Sequence, residues 1–386
     1  MKPDIHLQYS GKLAKGRVLV ASEPVLLLAE ETLGQPRLDG WVNRLILGDN
    51  LPVLRSLRDD PEVAGKVTLV YIDPPFSSDQ QYRVGETRTA TVSASHSDLP
   101  AYEDRLSRGE YLEFLRQRLL LLRELLADDG SIYVHIDWKM GHYVKVLLDE
   151  IFGAENFLND ITRLKCNPKN FSRRAYGNIK DMVLFYSKTG RHVWNETREA
   201  MTKEDIARLF PKVDEQGRRY TTNPLHAPGE TRNGPTGGVW KGLRPPRGRH
   251  WRYDPTELTR LDDQGLIEWS STGNPRKKIY ADDIVRAGKK RQDIWNFKDP
   301  AYPSYPTEKN RKMLEMVIRT SSNADDLVLD CFAGSVTTLV AAELHRRRWI
   351  GMDSSPVAIQ TIRRRFLELA CVSRFSMFAV TSPASV

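Results

Sequence analysis

A carboxylate, a proline-fixed backbone carbonyl and an aromatic ring stand side by side at Asp73, Pro74, Pro75 and Phe76. They follow the run 67–72, whose apolar and β-branched composition predicts a buried strand that ends in a rigid loop. In an open α/β sheet, ligands bind at the carboxyl ends of the strands. The pattern therefore predicts a catalytic loop that holds a planar ring bearing an amino group.

A second group of candidate residues lies between another predicted strand and a helix, at Asp330, Phe332, Ala333, Gly334 and Ser335. Glycine in such a turn lets the backbone approach a ligand closely, and the first amides of the helix are available as donors. Asp353 ends the next predicted strand, where a carboxylate can accept hydrogen bonds from ribose hydroxyls. Together these residues predict a nucleoside cofactor pocket, whereas the turn taken alone favours an ordinary tight turn.

The elements that would position these residues alternate between strand and helix on both sides of an irregular middle part. Predicted strands cover 44–47, 67–72, 131–136, 182–186, 327–329 and 349–352, and predicted helices cover 110–127, 141–151, 308–321, 337–345 and 356–369, with a further helix beginning at Leu51. This alternation predicts one doubly wound, mostly parallel, Rossmann-like α/β sheet with an insertion. Residues 77–109 are polar and lack a period, which predicts a long loop that is either functional or disordered.

The same pattern divides the chain into five parts. They are an N-terminal extension over 1–42, a catalytic half over 43–154, a basic insertion over 155–300, a cofactor-binding half over 301–372 and a tail over 373–386. The most basic stretch of the insertion holds Lys241, Arg244, Arg247, Arg249 and Arg252 together with Trp240 and Trp251, and no acid. Such a stretch predicts contact with nucleic acid, with the tryptophans stacking or wedging; a solvated charged surface is the alternative.

Composition narrows the class of protein. The 386 residues carry 58 Lys and Arg against 50 Asp and Glu, a net charge of +8, which favours a polyanionic partner. Cys166, Cys331 and Cys371 form no close pair, which argues against a disulfide framework and a zinc site, so no metal is expected. The sequence has no signal-peptide pattern at its start and no run of about 18 apolar residues, which predicts a cytoplasmic, nucleoid-associated protein.

In content and in order, these motifs resemble the β class of permuted S-adenosylmethionine-dependent DNA amino-methyltransferases. In that family an Asp-Pro-Pro-Tyr motif comes first, a target-recognition region follows, and a Phe-x-Gly-x-Gly cofactor motif comes last. Residues 130–137 and 305–310 also resemble the family, and the resemblance covers roughly residues 43–370.

The resemblance implies transfer of a methyl group from S-adenosylmethionine to the N6 amino group of an adenine flipped out of double-stranded DNA. It assigns catalysis to Asp73, Pro74, Pro75 and Phe76, with Asp73 and the Pro74 carbonyl accepting hydrogen bonds from the amino group and Phe76 stacking on the base. It assigns cofactor binding to Asp49, Asp73, Thr307, Lys309, Asp330, Phe332, Ala333, Gly334, Ser335 and Asp353.

Within the cofactor set, the resemblance places Asp353 at the ribose, Asp49 near the adenine edge, and Thr307 and Lys309 at the methionine end. Helix N-caps are the alternative roles of Asp49 and Thr307. The resemblance also makes 155–300 a target-recognition insertion whose five cations bind DNA, and it makes 77–109 a loop that closes over the extruded base.

The chain departs from the family pattern at three positions. Phe76 replaces the commoner tyrosine, Asn310 replaces a proline, and Val336 stands where the family usually has its second glycine. If that last position needs a positive φ, a β-branched residue is costly there. The departure predicts a shifted turn, a reduced cofactor affinity, or a cofactor-deficient relative that binds DNA.

Other substrates stay open. Cytosine N4 is the first alternative, although cytosine members of the family more often have serine in place of Asp73. Methylation of RNA or of a protein glutamine is a second, against which the motif order argues. No nuclease motif is apparent, so restriction-modification would need a separate restriction subunit, and a homodimer is left open.

Overall fold

The structure is a computed structural model that describes residues 5–20, 25–75, 81–84, 89–90, 99–103, 106–167, 174–231, 233–300, 308–369 and 371–381. The strands are β1 Leu26–Leu33, β2 Asn43–Leu47, β3 Val67–Ile72, β4 Gln81–Val84, β5 Thr89–Ala90, β6 Leu99–Glu103, β7 Leu126–Ile136, β8 Phe157–Leu164, β9 Lys180–Ser187, β10 Arg198–Glu199, β11 Lys212–Val213, β12 Arg219–Pro224, β13 His226–Pro228, β14 Arg249–Trp251, β15 Ile267–Trp269, β16 Pro275–Tyr280, β17 Lys289–Lys290, β18 Ile294–Asn296, β19 Leu327–Asp330, β20 Arg348–Asp353 and β21 Phe375–Thr381. The α-helices are α1 Lys15–Val20, α2 Asn50–Arg58, α3 Arg108–Leu125, α4 Gly141–Phe152, α5 Lys203–Leu209, α6 Pro255–Asp263, α7 Ala281–Val285, α8 Arg311–Ser321, α9 Thr337–Leu344 and α10 Pro356–Leu367. Within these ranges, no helix is long and apolar enough to cross a membrane.

Ten strands form the central sheet in the order β1-β21-β2-β20-β19-β3-β7-β9-β8-β18. Neighbouring strands are antiparallel only where β1 meets β21 and where β9 meets β7 and β8. Eight of the ten strands therefore run in one direction, which confirms the predicted mostly parallel sheet.

Helices cover both faces of this sheet, as a doubly wound fold requires. On β3, Val70 and Ile72 pack into a core shared with α2, α3 and α4, whereas Leu69 and Tyr71 pack into a second core shared with α8, α9 and α10. Successive side chains of a strand point to opposite faces. The continuous apolar run of β3 therefore reflects burial on both faces.

The two ends of the chain complete one side of the sheet, in contrast to the predicted extension and tail. β1 lies within 1–42, β21 lies within 373–386, and β21 inserts between β1 and β2. Gly48, next to the predicted site residue Asp49, has φ +154°, and a Cβ there would lie 2.5 Å from Val380 Cγ2. Short apolar runs do not show in sequence which strand they will join: residues 25–28 could be a short strand or a helical turn, and β21 was not predicted.

The second compact unit, Thr197–Arg291, is smaller than the insertion predicted over 155–300. β8, β9 and β18 lie inside the predicted insertion but belong to the central sheet, where all but the first residue of β9 is buried. The described parts of 77–109 also differ from the expected loop, because β4, β5 and β6 pair into a three-stranded sheet.

The second unit has a core of its own. A four-stranded sheet in the order β11-β12-β16-β15 and the hairpin of β13 and β14 surround Leu225, Trp240, Trp251 and Leu258. Trp240 is 3% exposed and Trp251 is 1% exposed. The predicted stacking of these two rings on nucleic acid is therefore wrong, since a small unit needs its largest apolar side chains for its core.

We expect Phe375→Ala to lower the free energy of unfolding by about 3 kcal/mol, because deletion of a large buried ring leaves a cavity. Phe375 is buried against Trp349 and Phe366, with ring centroids 5.6 and 5.4 Å away. Urea unfolding followed by tryptophan fluorescence measures the change. The matched control is Leu367→Ala on the exposed side of α10, which should change stability by less than about 0.5 kcal/mol. An equally small effect at Phe375 would contradict the placement of β21.

Candidate active site

Four carboxylates meet at the carboxyl ends of four adjacent strands. Asp49, Asp353, Asp330 and Asp73 lie at or just after the ends of β2, β20, β19 and β3, which are neighbours in the sheet. Along the chain, the next strand of the central sheet after β3 is β7, which lies on the side of β3 away from β19. The next strand after β19 is β20, which lies on the side of β19 away from β3, so the strand order reverses between β3 and β19. Ligands of open α/β sheets bind at such a switch point, and a cavity of about 330 Å³ contacts all four carboxylates there.

The cavity wall contains every described residue that the sequence assigned to catalysis or to the cofactor. These residues are Asp49, Asp73, Pro74, Pro75, Lys309, Asp330, Phe332, Ala333, Gly334, Ser335 and Asp353. Two further assigned residues, Phe76 and Thr307, lie outside the described residues.

Asp73 is paired through one oxygen and open at the other. Its Oδ2 forms an ion pair with Nζ of Lys309, which comes from the other half of the chain. Its Oδ1 is buried and accepts no hydrogen bond from any described residue. An unsatisfied buried acceptor costs about 1–3 kcal/mol. Oδ1 therefore favours a ligand that brings an N–H or O–H donor.

A buried histidine that the sequence did not single out adjoins this carboxylate. His135 on β7 is fully buried, and its Nδ1 lies 2.9 Å from the Tyr71 hydroxyl and 3.8 Å from Asp73 Oδ1. Burial lowers the pKa of His135, so the ring is neutral at neutral pH. Its Nε2 lies 3.3 Å from Asp181 Oδ2; donation to Asp181 leaves Nδ1 as the acceptor for Tyr71.

The hydrogen bonds that connect Tyr71, His135 and Asp181 end at a charged lysine. Lys165 Nζ lies 2.7 Å from Asp181 Oδ1. Burial alone would raise the pKa of Asp181, but the hydrogen bond with His135 and the charge of Lys165 hold it well below its usual range. The available sequence signal was a ring that can form hydrogen bonds near the end of each of two predicted strands, at Tyr71 and His135.

Two carboxylates organise the turn between β19 and α9. Asp353 accepts hydrogen bonds from the amides of Gly334 and Ser355, each at 2.8 Å, and Asp330 accepts one from the amide of Phe332 at 3.0 Å. Burial raises the pKa of Asp353, and it raises the pKa of Asp330 to about 7, with the charges of neighbouring acids adding to the effect. Both carboxylates thus shape the turn and line the cavity.

Val336 adopts the positive φ that the sequence left in question, at +69°. The turn is not shifted, since the Val336 amide donates to the Ala333 carbonyl at 2.6 Å and α9 begins at the next residue. A left-handed conformation costs a β-branched residue about 1–2 kcal/mol. The Val336 side chain is fully buried, which contributes about 1.5–3 kcal/mol. Burial therefore offsets the strain.

Two side chains of α3 form a wall of the cavity that the sequence did not predict. The Arg118 guanidinium lies 3.6 Å from the centroid of the Phe114 ring, and its Nη2 donates to Asp49 Oδ1 at 2.8 Å. Asp49 also accepts from the Leu51 amide at 3.0 Å and caps α2, which confirms the alternative role predicted for it. An arginine amid the apolar positions of a predicted helix was the signal for Arg118.

The five cations predicted to bind DNA are all exposed on the second unit. Lys241 pairs with Asp262, whereas Arg244 and Arg247 make no hydrogen bond or ion pair with any described residue. Arg249, the first residue of β14, has its Nη1 3.2 Å from His226 Nδ1 on β13, and Arg252 donates from Nε to the Pro224 carbonyl at 3.1 Å.

Positive charge is concentrated in this unit. Residues 197–291 hold 20 Lys and Arg against 13 Asp and Glu, a difference of seven in a chain whose net charge is +8. Around His226, burial and the charges of Arg249, Arg252 and Arg276 lower the pKa of the ring. The surface near the hairpin is therefore electropositive.

Residues 67–364 match the family described as DNA methylase, the N6/N4 amino-methyltransferases. The match covers well over half of the sequence and includes the strands that carry Asp73, Asp330 and Asp353. The chain belongs to this family. The predicted resemblance is thereby confirmed, and S-adenosylmethionine is the methyl donor of this methylase.

The methylase is similar to a Type II methyltransferase and to a Type III Mod subunit. It is 40% identical over 368 residues to the Type II methyltransferase M.EcaI of Enterobacter cloacae, covering 94% of this chain and 77% of that protein. It is 26% identical over 330 residues to the Type III restriction-modification enzyme StyLTI Mod subunit of Salmonella typhimurium, covering 77% of this chain and 49% of that subunit, about half its length. A solved structure of the PvuII DNA methyltransferase (cytosine-N4-specific) is 15% identical with a TM-score of 0.48, covering 85% of this chain and 88% of that one.

The cavity suits S-adenosylmethionine in the chemistry of its wall. The ligand carries ribose hydroxyls and a positive charge, and the carboxyl groups of Asp49, Asp330 and Asp353 supply hydrogen-bond acceptors. The rings of Phe114 and Phe332, with centroids 6.0 Å apart, add apolar surface. Bound here, the cofactor supplies a methyl group activated by its sulfonium.

We expect Asp330→Asn to stabilise the protein more at pH 8 than at pH 5. In the folded protein the pKa of Asp330 is about 7, whereas in the unfolded chain it is about 3.9. Between these two pKa values, the carboxyl group of Asp330 is ionised in the unfolded chain and protonated in the folded protein, so a rise in pH favours unfolding. Asparagine does not titrate, so the substitution removes this loss of stability. Urea unfolding at both pH values measures the gain, and an equal gain at both would contradict the raised pKa.

Proposed function

We propose that this methylase transfers the methyl group to the N6 amino group of adenine in DNA. The observation that carries the proposal is the buried, unsatisfied Oδ1 of Asp73 at the switch point of the sheet. An exocyclic amino group has two hydrogens and so needs two acceptors. We assign one to Asp73 and the other to the carbonyl of Pro74, which lines the same cavity.

The two acceptors address the weakness of the substrate as a nucleophile. The amino lone pair is delocalised into the ring, and hydrogen bonds from both N–H groups favour a more pyramidal nitrogen with its lone pair available. S-adenosylmethionine would supply the methyl group and leave as the neutral thioether S-adenosylhomocysteine. Positive charge would develop on the amino nitrogen, where the Asp73 carboxylate would stabilise it, and the nitrogen would lose one proton to solvent. Phe76 would stack on the base once it has left the duplex.

We choose adenine rather than cytosine as the substrate base because residue 73 is an aspartate. Cytosine-specific members of the family more often carry a serine at this position, and the serine hydroxyl is a weaker, neutral acceptor. Cytosine N4 offers the same amino chemistry and is the alternative that the experiment below decides.

The roles in cofactor binding follow from the positions of the wall residues. We assign Asp353 to the ribose hydroxyls, since each oxygen of its carboxylate can accept a second hydrogen bond. We assign Asp49 to the adenine edge, where Arg118 steadies its carboxylate. Lys309 and Thr307 are assigned to the methionine end.

We expect Asp73→Ala to lower kcat for DNA methylation by about 10²–10³-fold, because it removes an acceptor that acts on the reacting group. The assay incubates unmethylated genomic DNA, which presents all short sequences, with labelled S-adenosylmethionine. Digestion to nucleosides and mass spectrometry should yield N6-methyladenine. N4-methylcytosine without N6-methyladenine would overturn the choice of base.

The matched control is Asp49→Ala, which alters the same cavity away from the catalytic loop. It should raise KM for S-adenosylmethionine and largely spare kcat. Retention of full activity by Asp73→Ala would refute the catalytic assignment, since Asp73 would then serve structure alone.

We also propose that the second unit binds the DNA backbone through its electropositive surface. The charge of Thr197–Arg291 and the lack of ion pairs at Arg244 and Arg247 within the described chain support this role. Phosphate contacts give affinity that falls with salt.

We expect the double change Arg244→Gln and Arg247→Gln to weaken DNA binding and to reduce the slope of log affinity against log salt by about two. Fluorescence anisotropy with a labelled duplex measures both. Arg260→Gln is the control, because Arg260 is exposed in the same unit but pairs with Glu257 at 2.6 Å. Equal losses in both variants would point to a general charge effect and contradict the assignment.

The setting we infer is restriction-modification. One relative, the StyLTI Mod subunit, is named as part of a Type III restriction-modification enzyme. The sequence shows no nuclease motif, so cleavage would come from a separate subunit. A homodimer stays a prediction.

A further inference from the structure

Exposed aromatic rings stand at the same edge of the sheet as the catalytic loop. Trp138 follows β7, the strand next to β3, and its side chain is 47% exposed. Tyr176 precedes β9, the next strand along, and is 99% exposed. β9 is antiparallel to β7, so its start lies at the edge where β7 ends. Both rings therefore lie on the active-site side of the molecule.

These rings border a cavity of about 440 Å³ that is separate from the cofactor cavity. Ile179 and Leu164, at the end of β8, contribute apolar wall, and Lys180 lies at its rim. Asn178, with its amide oriented to satisfy both atoms, accepts from Trp138 Nε1 at 2.7 Å and donates to the Lys180 carbonyl at 3.0 Å. The indole is thus anchored by its nitrogen, while no other described ring stacks on its face.

The charge around the cavity suits a polyanion. Lys139, Arg174 and Lys180 are exposed, whereas Lys165 pairs with the buried Asp181. Flat apolar surface flanked by cations is the pattern that binds unstacked bases and their phosphates.

We propose that Trp138 and Tyr176 stack on an unpaired nucleotide of the substrate DNA beside the active site. The inference rests on the proposed reaction, since an enzyme that extrudes a base from a duplex leaves unpaired nucleotides next to its catalytic loop. The residues around the cavity adjoin β7, β9 and β8, which lie one to three positions from β3 in the sheet, and neighbouring strands are about 4.8 Å apart. The cavity is therefore placed to receive a nucleotide next to the methylated base rather than that base itself.

The chain offers a matched control at the opposite edge of the sheet. Trp194 is 54% exposed, similar to Trp138. It follows the end of β9, beside Val193, whose amide donates to the Asp129 carbonyl near the start of β7. Trp194 therefore lies away from the catalytic loop.

The experiment compares two fluorescein-labelled single strands of about 12 nucleotides, one of mixed sequence and one built of abasic residues that keep the phosphates. In the full-length protein, Trp138→Ala should weaken binding of the first about tenfold and leave binding of the second unchanged. Tyr176→Ala should act in the same direction, and Trp138→Phe should retain most of the affinity. Trp194→Ala should change neither, and Lys180→Gln should weaken both alike.

The proposal is overturned if Trp138→Ala binds the mixed strand as the parent does, or if it loses affinity for both strands equally. A change in sedimentation without a change in DNA binding would make a second copy of the chain the occupant, and this also overturns it. Calorimetric titration with S-adenosylmethionine, expected to be unchanged, verifies the fold. Methylation by the parent protein is assayed in parallel: its absence refutes the proposed function, whereas normal methylation with unaltered strand binding by Trp138→Ala refutes this inference alone.

Discussion

Parallel pairing of β3 with β19 is the constraint on which the active site depends. The two strands come from opposite ends of the sequence, yet Leu69 pairs with Val328 and Val70 with Leu329. This pairing brings the catalytic loop and the cofactor turn to one edge of the sheet. At that edge, the ion pair between Asp73 and Lys309 joins the catalytic half of the chain to the cofactor-binding half.

Burial around that edge sets the electrostatics of the site. Asp330, Asp353 and His135 all lie in surroundings that disfavour charge, and each has its pKa shifted accordingly. Asp73 differs, because Lys309 compensates its carboxylate on one side. Among the described carboxylates that line the cavity, Asp49, Asp330 and Asp353 accept hydrogen bonds from backbone amides, whereas Oδ1 of Asp73 accepts none. That difference is why we propose Asp73 as the acceptor for the amino group.

Much of the fold was predictable because its signals are local. The run of β3, the helical period of α3 and the order of the motifs depend on neighbours in sequence, and these predictions were confirmed. β1 stayed undecided between strand and helical turn, and β21 was missed, because their short apolar runs are stabilised by distant partners, such as Trp349 and Phe366 around Phe375. Trp240 and Trp251 were misassigned because composition cannot distinguish an aromatic ring that builds a core from one that meets a ligand.

The sequence by itself determined the family and predicted the catalytic loop and the residues of the cofactor turn, since these depend on residue types at fixed spacing. Tertiary structure decided which groups join them. His135 reaches Asp73 only across the β3–β7 pairing, and Arg118 reaches Asp49 only because α3 packs on α2. It also decided the question at Val336, where a buried side chain compensates a backbone conformation that favours glycine. Contacts between distant residues and the depth of burial are properties of packing, and no local pattern encodes them.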